Sequence, residues 1–156
     1  EEIWGLEMTM NQGCPECGAL WIDEKTCQEY FHQMLFWENE FPEVGVVHHL
    51  LVLCYHLQHP SLYSPEGLVE ARRLLTAFVA EGATPEEIRQ QNRHKVSSDK
   101  RDWKIKATAV SYGSYPQPIH WRITSVDVVN GGSDHYCDNV RQWAQSIHEL
   151  LWDQLD

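Results

Sequence analysis

The residues with the most specific chemistry in this chain form the stretch GCPECG, from Gly13 to Gly18, in which two cysteines are separated by a proline and a glutamate. Proline after the first cysteine and glycine after the second make a tight turn whose backbone N–H groups can point at two thiolates, as in a metal-binding knuckle. A redox pair and an unliganded turn are the alternatives. A thioredoxin-like pair should follow a strand and open a helix inside a βαβ unit, and no such unit is readable here. A knuckle brings only two ligands and the chain has no second C-x-x-C, so two more must come from elsewhere.

The elements that must bring them are helices. Thr26, with Glu29 three residues on, is a capping box opening a helix over 26–40. Pro42 interrupts, and EVGVVHHLLVLCYHLQH, from Glu43 to His59, reads as a second helix taken over 44–59, apolar almost all round and therefore central and buried. If the two form an antiparallel hairpin turning near Pro42, Cys27 lies opposite Leu57 to His59 and His48 lies near Phe36. His48 and His59 are about three helical turns, or ~16 Å, apart and cannot share one ion. The expected metal site is Cys14, Cys17, Cys27 and His59, with His56 as the substitute, and zinc is the expected ion. Cys27 as a small buried side chain and His59 as a helix C-cap are the plainer readings. Cys54 and Cys137 read as core.

His48 shares a helix face with Leu51, Val52, Tyr55 and His59 and is expected to point inward, while His49 and His56 form the polar stripe. A hydrogen-bonded structural histidine is the favoured reading; if His48 is functional, Glu38, Glu40, His135 and His148 are its candidate partners for a second, catalytic metal. No H-E-x-x-H signature and no G-x-S-x-G elbow occurs, so the enzymatic signal is weak.

Further along, Ser64-Pro65-Glu66 starts a third helix stopped by Gly82, and Thr84-Pro85-Glu86-Glu87 starts a short one to about His94. Trp103, Ile105 and Ala107 alternate as a short strand, with which IHWRI, from Ile119 to Ile123, could pair. Thr124 with Asp127 caps a short helix through Val129. Asp134 caps a last amphipathic helix with Tyr136, Val140, Trp143, Ile147, Leu150 and Leu151 on one side. The expected fold is mainly α: a helical bundle built on a central antiparallel hairpin, with an N-terminal zinc knuckle and a small β/loop segment around 97–123. It is read as a single domain over 1–156, divided into a knuckle arm (1–25), helices (26–94), the strand and loop (97–123) and C-terminal helices (124–156).

A chain of 156 residues, 42% hydrophobic and 22% charged, can bury a core without a metal, so a metal site needs its own explanation. No apolar run reaches the ~20 residues of a membrane span and no signal-like N-terminus is readable, so the expected setting is cytoplasmic with no membrane partner. Five cysteines, two of them in a C-x-x-C, fit a reducing compartment. The net charge of −11 makes the chain as a whole a poor nucleic-acid binder. Seven of its twelve Lys and Arg residues nevertheless fall between 89 and 106, where a phosphate or nucleic acid could bind beside Trp103. The expectation favoured there is a solvated segment pairing with the acidic remainder.

The segments GCPECGA, TCQEYFHQMLFWE, VHHLLVLCYHLQHPSLYS, WRITSVDVV and VRQWAQSIHELLW together resemble an uncharacterised bacterial family of small cytoplasmic proteins, a domain of unknown function. The resemblance spans nearly the whole chain and implies that Cys14, Cys17, His48 and His59 are typical positions of the family. A looser resemblance, to DinB-like metal-dependent hydrolase bundles, rests on inward-facing histidines, without their H-x-x-x-H. The leading expectation is a zinc-stabilised binding or adaptor module with an unknown protein partner. A metal-dependent enzyme, a hydrolase or transferase using His48 or His59, is the competing one.

Overall fold

The computed structural model describes residues 13–21, 25–95 and 112–155. Six α-helices occur among them: α1 (Cys27–Glu40), α2 (His48–Leu57), α3 (Pro65–Val79), α4 (Pro85–Lys95), α5 (Ser125–Asn130) and α6 (Tyr136–Leu155). The protein is mainly helical, as its periodicity predicts. Among the described residues the β structure is an isolated antiparallel bridge between Gly13 and Leu20. IHWRI forms no strand; the segment proposed to pair with it, 103–107, lies outside the described residues.

The helix starts are those the caps dictate. At α1 the Glu29 N–H donates to Thr26 Oγ1 (3.4 Å) while the Thr26 N–H donates to Glu29 Oε1 (3.0 Å), which satisfies two of the donors every helix N-terminus leaves over. The reciprocal pair recurs between Thr84 and Glu87, and the same box joins Thr124 and Asp127. Ser64 Oγ accepts from the Gly67 N–H at 3.0 Å ahead of Pro65.

Two boundaries differ from the sequence expectation. The second helix does not run over 44–59: Pro42–Val47 is a 3₁₀ helix and the α-helix begins only at His48. Gly45 and the β-branched Val44, Val46 and Val47 are poor α-helix formers, which suits a tight turn immediately after a proline. The last helix starts at Tyr136, after a 3₁₀ turn Ser133–His135 that contains the expected cap Asp134.

α6 joins the most elements, packing on α2, α3, α5 and the Pro42–Val47 turn. Its apolar stripe Tyr136, Val140, Trp143, Ile147, Leu150 and Leu151 is wholly buried. Within it, Trp143 is the largest fully buried side chain, at a kind of position where truncation to alanine costs about 3–5 kcal/mol. α2 buries six of its ten residues, as an all-round apolar helix should. α1 packs mainly on α5, and it meets α2 through side chains in antiparallel order. Phe31 stacks on Tyr55 with ring centroids 4.3 Å apart, and Glu38 meets His48. Among the described residues no helix is long and apolar enough to cross a membrane.

The C-terminal end of α2 is clasped by the chain from 112 to 123. The Tyr115 hydroxyl donates to the Leu57 carbonyl at 2.5 Å, Gln58 Nε2 donates to the Ile123 carbonyl at 2.7 Å, and the Gly113 N–H donates to the Tyr63 carbonyl at 2.7 Å. A side chain at Gly113 would stand 2.9 Å from the Pro60 carbonyl oxygen, so only glycine permits this approach. The clasp caps carbonyls that the helix end leaves over and holds the chain at His59.

Candidate metal centre

The arm from Gly13 to Trp21 is a closed turn. The Gly18 N–H donates to the Cys14 carbonyl (3.0 Å) and the Cys14 N–H to the Ala19 carbonyl (2.9 Å). Gly18 sits at φ +78, a left-handed conformation that explains the glycine after the second cysteine. The turn also brings the Cys17 N–H to 3.4 Å from Cys14 Sγ, the N–H-to-sulfur geometry of a knuckle.

Cys27, at the first position of α1, and His59, two residues past α2, are brought to this turn by the antiparallel approach of the two helices. Cys17 Sγ and Cys27 Sγ are 3.5 Å apart, as are Cys14 Sγ and His59 Nε2. The four ligand atoms all lie within 4.8 Å of one another, and all four residues are buried, between 4% and 9% exposed. Four buried soft and borderline donors at this separation can hold one metal ion. Among the described residues this is the one such cluster of three or more Cys, His, Asp or Glu side chains.

The surroundings fix the donors. The His59 Nδ1–H donates to the Tyr55 carbonyl at 2.7 Å, which fixes the ring with Nε2 facing Cys14 Sγ. The Trp21 indole N–H donates to Cys27 Sγ at 3.2 Å. The Tyr55 ring lies 4.4 Å from the His59 ring and carries Phe31 on its other neighbour contact. Glu16, between the two knuckle cysteines, accepts from the Ser61 hydroxyl (2.6 Å) and the Ser61 N–H (3.2 Å), latching the arm to the turn just after His59.

Crowding so many thiols sets their acidities apart. Hydrogen bonds with Cys17 and then Cys27 push the Cys14 thiol far down, while the same kind of contact with Cys14 and Cys27, together with burial, pushes Cys17 far up. Burial is the largest influence on His59 and disfavours its charge. Hydrogen bonds to Cys14, Cys27 and the Tyr55 carbonyl outweigh it and raise the imidazole to about 10. Without a cation among them, one sulfur readily holds negative charge; a divalent ion would stabilise all three as thiolates.

With this geometry in view, the comparison with protein families has a definite result: the family described as "Family of unknown function (DUF5946)" matches residues 12–151. The chain belongs to that family. No curated protein and no solved structure matches it. The matched span takes in all four residues of the centre and the clasp that holds His59.

Other sequence expectations fare differently. His48 does not face inward: its side chain is 55% exposed, and its Nδ1–H donates at 2.7 Å to Glu38, whose own side chain is only 8% exposed. It is the first residue of α2, directly after the fully buried Val47 that ends the 3₁₀ turn, and its ring turns outward to Glu38. Glu38 is its partner as expected, but the second carboxylate oxygen accepts from the Tyr136 hydroxyl at 2.5 Å, and Glu38, His48 and His135 gather no metal cluster. His49 is half-buried with its ring edge-on to Phe78 (4.5 Å), and His56 is half-buried beside Tyr63, so neither lies on a polar stripe. Burial lowers the basicity of both. His56 stays outside the cluster. Cys54 is fully buried core; Cys137 is half-buried, its thiol 3.6 Å from the Val44 carbonyl. The basic segment is α4 from Arg89 to Lys95, and beyond that it lies outside the described residues.

Sequence reasoning missed Trp21, Tyr55, Glu16 and Tyr136. Glu16 alone carried a signal, being the one charged residue inside the knuckle. The others act through pairs 4 to 98 residues apart that no local pattern marks.

Proposed function

We propose that Cys14, Cys17, Cys27 and His59 bind one zinc ion in a closed, four-ligand structural site, and that the chain acts as one zinc-stabilised domain whose function is to bind a partner. The reading rests chiefly on the convergence of three sulfurs and one imidazole nitrogen, all buried and all within 4.8 Å. A tetrahedral zinc with arms of about 2.3 Å has sulfur–sulfur edges of about 3.8 Å, close to the 3.5 Å between Cys17 Sγ and Cys27 Sγ. Three cysteines and a histidine complete that tetrahedron, which favours a structural over a catalytic ion.

The composition of the arm supports the same role. Between 13 and 21 the buried side chains are Cys14, Cys17 and Ala19, too little apolar surface to offset the entropy of ordering the segment. Coordination would supply the missing stabilisation and fasten the arm to both helices. The enzyme reading through inward-facing His48 and His59 loses its first histidine to the surface and its open coordination position to Cys27.

Metal analysis of the wild type and of Cys14→Ser and His59→Ala tests the proposal. One equivalent of zinc in the wild type, and less in both variants, is expected. A wild type without metal, or a full equivalent in both variants, overturns it. Cobalt substitution tests closure: a tetrahedral thiolate spectrum unmoved by added imidazole is expected, and a shift would show an open position.

A further inference from the structure

Five lysines and arginines lie outside 89–106, namely Lys25, Arg72, Arg73, Arg122 and Arg141. Two of them, Arg72 and Arg73, are adjacent on α3 and line the same cavity of about 190 Å³, whose other wall is the end of α6. His148 enters from α6, and its Nε2 is buried with no hydrogen-bond partner. Nη2 of Arg73 is engaged by Glu70, which leaves Nε–H and Nη1–H on different edges of the guanidinium, each able to give a single hydrogen bond. Val69, Leu151 and Trp152 make the rest of the wall apolar, and Trp152 is 59% exposed, its ring 6.1 Å from that of His148.

A second hollow of about 600 Å³ shares Thr76, His148 and Trp152 with the first but carries Glu81 and Glu149. Two arginines, one of them paired with Glu70, and an unsatisfied imidazole nitrogen thus stand at one end, an aromatic face in the middle, and negative charge alone at the other. That gradient selects a ligand with one anionic group and an uncharged, flat body. A carboxylate can accept single charge-assisted hydrogen bonds from these arginines and from His148, and the body covers Trp152. A second negative charge on the ligand would meet Glu81 and Glu149.

We propose that this cavity binds a small organic monocarboxylate, its carboxylate held by Arg73, Arg72 and His148 and its apolar body lying on Trp152. The inference stands independently of the zinc site.

Calorimetric titration of the full chain with benzoate, benzyl alcohol, terephthalate and inorganic phosphate tests it. Benzoate is expected to bind saturably at one site, with the other three weaker by about tenfold or more. Arg73→Ala and Trp152→Ala, both at exposed positions, are each expected to weaken benzoate by about tenfold with unchanged thermal melting. Absence of benzoate binding overturns the proposal, as does phosphate or terephthalate binding as tightly as benzoate. So does benzoate affinity that both variants leave intact. Should Arg73→Ala lower the melting temperature, Trp152→Ala decides alone.

Discussion

The two ends of the α1–α2 pair are built from the same helices and similar residue types, yet they do opposite things with them. At one end Cys27 and His59 turn toward Cys14 and Cys17, and four potential ligand atoms come within 4.8 Å of one another. At the other, Glu38 already has its donors: His48 Nδ1–H on one oxygen and the Tyr136 hydroxyl on the other. A convergent set of lone pairs calls for a cation, whereas a satisfied donor–acceptor chain needs nothing further. The types of residue, Cys and His against Glu and His, therefore say less about metal binding than whether their free electron pairs meet.

The comparison can be broken most sharply at Cys27. If the proposed zinc site is correct, Cys27→Ser should abolish zinc binding and cost upwards of about 4 kcal/mol in urea unfolding, the scale of losing a structural metal. Chelator should then erase the difference between variant and wild type. Trp21→Phe removes only the indole N–H from Cys27 Sγ, so zinc should stay but bind about 10–100-fold more weakly in competition with a chromogenic chelator. Tyr136→Phe should cost about 1–3 kcal/mol by leaving the buried Glu38 carboxylate short of a donor, with a full equivalent of zinc retained. Smallest of all, His48→Ala should cost under about 1 kcal/mol, because the His48–Glu38 pair is half open to water. Loss of zinc on His48→Ala would show that the two ends are not independent.

Much of the fold was legible because its signals are local. Thr26 with Glu29, Ser64 with Pro65, and Thr124 with Asp127 each mark a helix start through bonds three residues long. The stripe from Tyr136 to Leu151 follows from helical period alone. Cys27 and His59 were reachable by counting along an antiparallel pair, since a straight helix advances by a fixed rise per residue. What failed was of another kind. Periodicity over 44–59 put His48 on the inward face, but the 3₁₀ turn over Pro42–Val47 breaks the α-helical register there and makes His48 the first residue of the helix, turned outward to Glu38.

The sequence by itself determined the helices, the knuckle turn at Gly18 and the set of residues able to meet a metal, because caps, glycine conformation and helical rise act over a few residues. Only the tertiary structure decided that His59 rather than its substitute His56 meets the sulfurs and that His48 faces water. That choice rests on bonds between distant segments, Glu16 to Ser61, Tyr115 to Leu57 and Tyr136 to Glu38, whose ends come together only when the core that holds them has formed.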